Sequence, residues 1–293
     1  MVQSIFCVGN LAKQEFIVNN EPKVFLSGSA AYTALAIKIA NGEVVLISSI
    51  GKDFPQDWLK LLINTGIKLK IKKVKNKPSI FFKSLNNELI GKNIKVHIEN
   101  LPFLLRSALK MDKPTLLYIA PNNFKIQKKL LEEAKLKLAK SSIALGIHEF
   151  DLRKMKCPKT VLDLIKDVGF FFLNELEAKI ITGCKSFLEA INILRFYSIN
   201  KIIAVTMGAR GVTLIHNNEF IHVPAFQVEK EVDSTGAGDS FAGAFLAKYL
   251  TCKDLIEACK YGCLISSLTV TDFGLNALLK LTQKKVEVLS KKL

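Results

Sequence analysis

The segment Val232–Tyr249 reads VDSTGAGDSFAGAFLAKY and joins a short glycine-containing loop to the start of a helix. Gly236, Ala237 and Gly238 carry little or no side chain, so the backbone amides before the helix are unobstructed. Amides at a helix N-terminus, together with the positive end of the helix dipole, form an anion-binding site. Asp239 lies in the first turn, where the dipole favours an ionised carboxylate. The segment therefore predicts an anion site with a carboxylate beside it.

A carboxylate beside an anion site has a chemical use. It can accept a hydroxyl proton while the amides stabilise the charge of a transferring phosphoryl group. The alternative is an ordinary glycine-containing loop in which Asp239 only caps the helix. A Gly-x-Gly pattern alone favours that alternative, whereas the spacing of the whole segment favours catalysis. The small residues behind Asp239 also predict a helix that packs closely: Ala242, Gly243, Ala244 and Ala247.

Apolar, β-branched runs alternate with helical patterns along most of the chain. The predicted strands are Ile5–Val8, Val44–Ile47, Leu116–Ile119, Ile143–Leu145, Phe170–Leu173 and Ile202–Thr206, followed by a hairpin of Val212–Ile215 with Phe220–Val223. The predicted helices are Ala30–Ala40, Phe54–Thr65, Ile126–Leu138, Asn174–Thr182 and Phe187–Tyr197, followed by stretches at about 238–250, 253–270 and 275–290. This alternation predicts βαβ units around a parallel sheet that is buried on both faces.

Two regions interrupt the alternation and predict a small additional sheet. From Ile67 to Ile98 the chain has short strand-like pieces, with turn signals at Asn86-Asn87 and Gly91-Lys92-Asn93. Within it, residues 68–72 alternate lysine with an apolar residue at period two. Residues 15–18 and 23–26 are further strand-like pieces. We therefore predict an α/β core of residues 1–10, 27–66 and 99–293 and a small β-sheet of residues 11–26 and 67–98.

The spacing from Asp233 to Leu246 resembles the C-terminal signature of the ribokinase (PfkB) family of carbohydrate and nucleoside kinases. Other family landmarks follow in order over nearly the whole chain: Val8-Gly9-Asn10-Leu11, Ser27–Ala34, Ile50–Asp53, Asn174–Glu177 and Thr206–Gly211. The resemblance implies a ribokinase-like three-layer α/β/α domain with a mostly parallel central sheet. It also implies that the small β-sheet is a lid over the acceptor.

The resemblance further implies the reaction and the residues that carry it. The reaction is transfer of the γ-phosphate of ATP to a hydroxyl of a small sugar, polyol, cyclitol or nucleoside. Asp239 would be the base, and the amides of Gly236, Ala237 and Gly238 the anion hole. The implied nucleotide-binding residues are Asn174, Thr206, Gly208 and Gly211; Glu177 would position Mg²⁺ through water, and Asp233 with Thr235 would hold K⁺ if this chain uses one. Asn174 and Glu177 also fit a helix capping box, and both interpretations can hold together.

The acceptor pocket departs from the family pattern. Gln14 stands where many members have an Asp, Ser27-Gly28 replaces a double glycine, and Tyr32 replaces an Asn. The predicted substrate-binding residues are Gln14, Gly28, Ser29, Tyr32 and Asp239. The polar character of Gln14, Glu15 and Tyr32 tilts the prediction towards a sugar or polyol, and a nucleoside stays open. His148 and Arg153 are either surface residues or contacts for an anionic ligand.

Composition limits the other function classes. The 293 residues are 49% hydrophobic, carry a net charge of +16 and contain no long uncharged apolar stretch. The N-terminus lacks a signal-peptide pattern, which predicts a cytoplasmic protein without membrane contact. No aromatic residue interleaves with the lysine-rich run at 68–77, so we expect no nucleic-acid partner. A homodimer through an exposed lid edge is expected. The alternative function is a non-catalytic, small-molecule-binding relative, which the altered acceptor pocket suggests.

Overall fold

Two β-sheets and their flanking helices make up the computed structural model, which describes residues 3–18, 20–85, 88–92 and 98–291. The strands are β1 Ser4–Val8, β2 Ala12–Val18, β3 Glu21–Ser27, β4 Glu43–Gly51, β5 Lys68–Val74, β6 Ile80–Leu85, β7 Glu88–Lys92, β8 Leu116–Ile119, β9 Ile143–Gly146, β10 Phe170–Asn174, β11 Ile202–Thr206, β12 Val212–His216 and β13 Glu219–Val223. The predicted turn residues Asn86, Asn87 and Asn93 lie outside the described residues.

Helices connect most of these strands. They are α1 Ser29–Ile39, α2 Gln56–Asn64, α3 Leu101–Met111, α4 Phe124–Lys135, α5 Glu149–Leu152, α6 Leu162–Ile165, α7 Glu175–Thr182, α8 Phe187–Arg195, α9 Ala237–Cys252, α10 Leu255–Thr269, α11 Asn276–Leu279 and α12 Gln283–Ser290. Short 3-10 turns occupy Ile98–Asn100, Lys140–Ser142, Pro158–Val161 and Gly208–Arg210. In the part of the chain that the structure describes, no helix is both long and apolar enough to cross a bilayer.

The large sheet has nine strands within the described residues, in the order β13-β12-β11-β10-β9-β8-β1-β4-β5. Strands β11 to β5 in that order are all parallel, and the hairpin β12–β13 extends the sheet in the antiparallel sense. Every residue of β8 and of β9 is buried, as expected for strands covered on both faces. The predicted, mostly parallel central sheet is confirmed.

Helices cover both faces of this sheet and give the predicted three-layer α/β/α arrangement. Alternate residues of one strand point to opposite faces, so Phe172 packs into one apolar cluster and Leu173 into the other. Helices α1, α9 and α10 belong to the cluster with Phe172, and α3, α4, α7 and α8 to the cluster with Leu173. The small residues of α9 bring it close to α1, because a Cβ at Gly243 would lie 2.3 Å from the carbonyl oxygen of Thr33.

A separate small sheet has four strands in the described residues, ordered β3-β2-β6-β7. Rings of Phe16 and Phe25 in this sheet lie 5.3 Å and 6.0 Å from the ring of Phe273, which precedes α11. Lys13 in β2 pairs with Asp53, which also accepts a hydrogen bond from the backbone N–H of Ser79 at 2.6 Å. These contacts attach the small sheet to the core. Homodimer formation through this sheet stays a prediction.

One predicted boundary of the small sheet differs from the structure. Strand β5 was predicted in that sheet, but it pairs in parallel with β4 as an edge strand of the large sheet, with Lys68 opposite Val45 and Val74 opposite Gly51. Alternation at period two indicates a strand with one solvated face. An edge strand of the large sheet meets that condition as well as a lid strand does, so the pattern alone did not identify the sheet.

Candidate active site

A cavity of about 900 Å³ opens at the carboxyl edge of the large sheet. Residues at or just after the ends of five parallel strands line it: Asn10 after β1, Asn122 after β8, Ile147 after β9, Asn174 at the end of β10 and Thr206 at the end of β11. Ligands of open parallel sheets bind outside the carboxyl ends of the strands. The cavity therefore lies where this fold is expected to hold its ligands.

The loop before α9 contributes an open helix N-terminus to this cavity. Gly236 precedes the helix with a φ of 79°, and a Cβ there would lie 2.4 Å from the ring of Tyr32. Glycine is therefore required at this position for both conformation and space. At Gly238 a Cβ would meet no atom within 4 Å, and this residue lines the cavity together with Asp239.

The amides of this loop are not equivalent. The N–H of Ala237 donates to the carbonyl oxygen of Ser234 at 3.2 Å, so it is engaged within the loop. Gly238 belongs to the first helical turn, where backbone N–H groups lack acceptors within the helix. Of the residues predicted to form the anion hole, Gly236 and Gly238 line the cavity and Ala237 does not. The loop thus offers Gly238 as its most accessible amide.

The carboxyl group of Asp239 is largely enclosed by protein. Burial raises its pKa to about 7, because desolvation penalises the ionised form. This effect opposes the helix dipole, which favours ionisation. The backbone carbonyl oxygen of Asp239 accepts a hydrogen bond from Thr33 at 3.1 Å, which ties the first turn of α9 to α1. A carboxyl with a pKa near neutrality is suited to accept a proton at physiological pH.

Glu177 is a second buried carboxyl in the cavity wall. Its Oε2 accepts from the backbone N–H of Asn174 at 2.7 Å, and its Oε1 accepts from that of Glu149 at 2.9 Å. The side chain of Asn174 accepts in return from the N–H of Glu177 at 2.8 Å, which completes a capping box for α7. Burial raises the pKa of Glu177 to about 8. Asn174 and Glu177 therefore cap α7 and also line the cavity, and their predicted roles in nucleotide and Mg²⁺ binding stay predictions.

A shallower depression of about 440 Å³ continues the cavity past the ends of β10 and β11. Asn174, Leu176 and Thr206 line both spaces, and Gly208 lines the depression. Gly211 lines neither space. A Cβ at this position would lie 2.1 Å from the carbonyl oxygen of Val223. Gly211 therefore shapes the turn after β11, where a larger residue would not fit. Three of the four residues predicted for nucleotide binding, Asn174, Thr206 and Gly208, thus lie at one end of the site.

The residues predicted to bind the acceptor lie at the other end, and some are enclosed. Gln14 is fully buried, with its Oε1 accepting from Ser27 at 2.5 Å and its Nε2 at 3.5 Å from Oγ1 of Thr235. Tyr32 is 1% exposed and packs under Gly236. Gln14 and Tyr32 therefore line the cavity while exposing almost no side-chain surface. The other predicted residues, Gly28 and Ser29, also line the cavity.

Several residues of this end were absent from the predicted site. Asn122 donates through Nδ2 to Oδ1 of Asn10 at 3.3 Å, and both side chains line the cavity. Phe82 reaches the same space from strand β6 of the small sheet. Asn122 is the third residue after the buried strand β8. This position, at the carboxyl edge of the sheet, is a sequence signal that identifies Asn122 as a candidate site residue. The sequence gives no comparable signal for Phe82, because the local pattern does not show which face of strand β6 points towards the cavity.

Asp233 lies behind the loop and outside the cavity lining. Its Oδ1 accepts from the N–H and the Oγ1 of Thr235, at 3.1 Å and 2.8 Å. Its Oδ2 is buried and has no well-formed hydrogen bond within the described residues, although the backbone N–H of Gly274 lies near the carboxylate. Burial raises the pKa of this carboxyl. A buried carboxylate oxygen in this state is a suitable ligand for a cation.

A carboxylate and an accessible helix N-terminus, placed at the carboxyl edge of a parallel sheet, are the features that a small-molecule kinase requires. Residues 2–281 match the family model described as pfkB family carbohydrate kinase, so the chain belongs to that family. Members of this family transfer a phosphoryl group to an alcohol acceptor, and the chain is therefore a phosphotransferase of the sugar and nucleoside kinase class.

Named relatives and a solved structure agree with this assignment. The chain is 29% identical to the cytidine kinase of Thermococcus kodakarensis over 249 residues, which cover 80% of this chain and 84% of that protein. It is 26% identical to the nucleoside kinase of Methanocaldococcus jannaschii over an alignment of 321 positions, which covers 99% of this chain and 98% of that protein. The structure of Burkholderia thailandensis nucleoside kinase in complex with inosine matches with a TM-score of 0.81 and 16% identity over 98% of each chain, which shows a common fold.

Proposed function

We propose that this chain is an ATP-dependent nucleoside kinase in which Asp239 is the general base and the open amides of the first turn of α9 hold the transferring phosphoryl group. The observation that carries this proposal is the position of Asp239. Its carboxyl lines the cavity beside Gly238, and its pKa of about 7 is suited to accept a hydroxyl proton. Positioning and electrostatic stabilisation supply most of the catalysis in phosphoryl transfer.

The sheet order supports an assignment of the two ends of the cavity. Asn174 and Thr206 follow β10 and β11, and the shallow depression lies beside them. This end suits the donor nucleotide. Asn10 and Asn122 follow β1 and β8, where the small sheet also reaches the cavity through Phe82. This end suits the acceptor, which the small sheet would cover as a lid.

The residues present fit the cations that the family uses. Each carboxylate oxygen of Glu177 accepts one backbone N–H, and the residue lines the cavity, so lone pairs remain for the water ligands of a Mg²⁺ ion. A bound Mg²⁺ neutralises charge on the donor phosphates. The buried Oδ2 of Asp233 fits a monovalent cation such as K⁺ behind the loop. Asp233 would then support the loop without touching substrate.

The acceptor end favours a nucleoside over a free sugar. Asn10 and Asn122 present neutral amide groups, which can donate and accept at once and so match the edges of nucleobases. Phe82 offers an aromatic face, and aromatic rings stack on bases. The tilt towards a sugar or polyol rests on Gln14, Glu15 and Tyr32. Gln14 and Tyr32 line the cavity with almost no exposed surface, and Glu15 is not part of the lining. Relatives named cytidine kinase and nucleoside kinase add support.

An acceptor screen tests this assignment. We expect kcat/KM with the best of cytidine, uridine, adenosine and inosine to exceed that with ribose, fructose or myo-inositol by about 100-fold, since the base adds stacking and amide contacts of about 1–3 kcal/mol each. The same screen compares ATP with GTP and ADP as donors. Phe82→Ala should lower kcat/KM for nucleosides more than kcat/KM for free sugars. Equal or higher kcat/KM for a free sugar would replace the nucleoside assignment with a sugar kinase.

The pH dependence follows from the base. Asp239 must be ionised to accept a proton, and its pKa is about 7. We therefore expect kcat/KM for the acceptor, at saturating Mg·ATP, to rise about tenfold per pH unit below pH 7 and to level off above it. Burial also raises the pKa of Asp151 in the cavity wall, to about 6. Asp151→Asn should leave the profile in place, whereas a profile that stays flat down to pH 5 would exclude Asp239 as the titrating base.

A further inference from the structure

His148 occupies the boundary between the two ends of the cavity. It follows strand β9, which lies between β8 on the acceptor side and β10 on the donor side of the sheet. Its side chain lines the cavity together with Asp239 and Gly238. A phosphoryl group that moves from the donor end to the acceptor end must pass the ends of these central strands. His148 therefore stands beside the path of the reacting group.

One hydrogen bond fixes which ring nitrogen of His148 carries the proton. Nδ1 accepts the backbone N–H of Phe150 at 3.1 Å, so in the neutral ring this nitrogen has no hydrogen. The hydrogen is then on Nε2, the nitrogen that remains free of this contact. His148 is exposed, and an ordinary pKa of 6.5 already favours the neutral ring at pH 7; desolvation by the neighbouring protein lowers the pKa in the same direction.

The cavity is poor in positive charge although the chain carries +16. Among the described residues that line the 900 Å³ cavity itself, Arg153 is the one permanent cation, and its Nε donates to Oε1 of Glu149; Lys179 lines the adjoining depression, where it pairs with Glu175. Glu149, Asp151, Glu177 and Asp239 add carboxyl groups to the same lining. Apart from Arg153, the hydrogen-bond donors of this lining come from backbone amides and from neutral side chains. The Nε2–H of His148 is such a donor in the cavity wall, after the strand that lies between the two ends of the site.

We propose that the Nε2–H of His148 donates a hydrogen bond to a non-bridging oxygen of the phosphoryl group during transfer, an inference that rests on the proposed kinase function. In the step, the acceptor oxygen forms a bond to the γ-phosphorus while the bond from that phosphorus to the β–γ bridging oxygen breaks. The bonding electrons leave with the bridging oxygen of ADP, and the hydroxyl proton moves to Asp239. His148 keeps its proton throughout and acts on a charge that is greatest in the transition state.

A pair of substitutions separates this role from helix capping. His148→Asn keeps an acceptor near the position of Nδ1, which preserves the contact with Phe150, and removes the Nε2 donor. His148→Gln places an amide donor near the position of Nε2. We expect His148→Asn to lower kcat about 10- to 100-fold, with both KM values changed less than threefold. If the loss in His148→Asn is about 100-fold, the kcat of His148→Gln should be at least about tenfold higher than that of His148→Asn. His222→Asn, at an exposed position in β13, is the matched control and should keep wild-type kcat.

The outcomes are distinguishable from a failure of the proposed function. Wild-type enzyme is assayed first with its best acceptor, and absence of transfer there rejects the kinase proposal itself. If wild type is active, a kcat of His148→Asn within twofold of wild type overturns the inference. Equal losses in the Asn and Gln variants, with equal thermal midpoints, also overturn it. Nitrogen-15 NMR of the His148 ring in the wild-type protein should show a protonated Nε2 and an unprotonated Nδ1 at pH 7; the opposite tautomer would contradict the proposal.

Discussion

Asp239→Asn is expected to lower kcat by about 10²- to 10⁴-fold, the usual contribution of a general base. Asparagine has the size of aspartate but cannot accept the hydroxyl proton, so the transfer step loses its proton acceptor. Nucleotide affinity should change little, because Gly238, Asn174 and Thr206 supply the donor end without the carboxylate. Steady-state kinetics with the best acceptor, together with calorimetric titration of Mg·ATP, measure both quantities.

Stability gives an independent check on the same variant. The pKa of Asp239 rises from an ordinary value of 3.8 to about 7 on folding, so the native state binds more protons than the unfolded state between these values. Wild-type stability attributable to this group is therefore fully present below pH 4 and is lost as pH rises through 7. Relative to wild type, Asp239→Asn should unfold at a higher temperature at pH 8 and at a similar temperature at pH 4. Near-normal kcat, or a stability difference with the opposite pH dependence, would reject Asp239 as the buried base.

Gly238→Ala is expected to lower kcat/KM for Mg·ATP by about 100-fold without lowering the thermal midpoint. A Cβ at this position meets no protein atom within 4 Å, so the fold accommodates it. The same methyl group would project into the space in front of the helix N-terminus, where the phosphoryl group must approach the amide. A displacement of about 1 Å in such a geometry costs about 10²-fold in rate. Kinetics at varied ATP concentration and a thermal melt measure the two effects.

Gly236→Ala provides the contrast two residues earlier. Here the Cβ would lie 2.4 Å from the Tyr32 ring, and the φ of 79° is unfavourable for alanine. This variant should lose stability as well as activity, which Gly238→Ala should not. If Gly238→Ala keeps wild-type kcat/KM for ATP, the phosphoryl group does not bind at this helix terminus, and the anion site must lie elsewhere in the cavity.

Local pattern was sufficient for most of the fold. The buried strands are continuous apolar runs, and the segment before α9 carries its own glycine and aspartate signals, so β8, β10, β11 and Asp239 were predicted at or close to their observed positions. Helix α3 was missed although Leu101, Leu104, Leu105, Ala108 and Leu109 are buried at helical spacing. The apolar spacing of this segment is a helical signal within the sequence itself. Strand β5 is different, since its pairing partner depends on contacts distant in sequence.

The acceptor end shows what a single sequence does not contain. Register after Gly9 predicted Gln14 as a substrate-binding residue, but not that its Oε1 accepts from Ser27 and that its side chain is fully buried. Burial depends on how β2 and the segment before α1 pack together, which no local pattern specifies. Net charge was equally uninformative about the cavity. The lysines that produce +16 lie outside its lining, where Arg153 is the cation among the described residues.

The carboxyl of Asp239 also bears on the alternative of a non-catalytic relative. A protein that only binds a small molecule has no need of a carboxyl with a pKa near neutrality beside an accessible helix N-terminus. Asp239 and Gly238 provide this combination. Family membership and this geometry together favour an active enzyme, and the altered acceptor end then concerns the choice of substrate.

Transfer of label from [γ-³²P]ATP tests the central claim most directly. Wild-type protein is incubated with Mg²⁺, labelled ATP and each nucleoside in turn, and the products are separated and identified by mass spectrometry. The proposed function predicts label in a nucleoside monophosphate, formed in equal amount to ADP and dependent on the nucleoside. Label found only in inorganic phosphate, or in a sugar phosphate in preference to a nucleoside monophosphate, would contradict it.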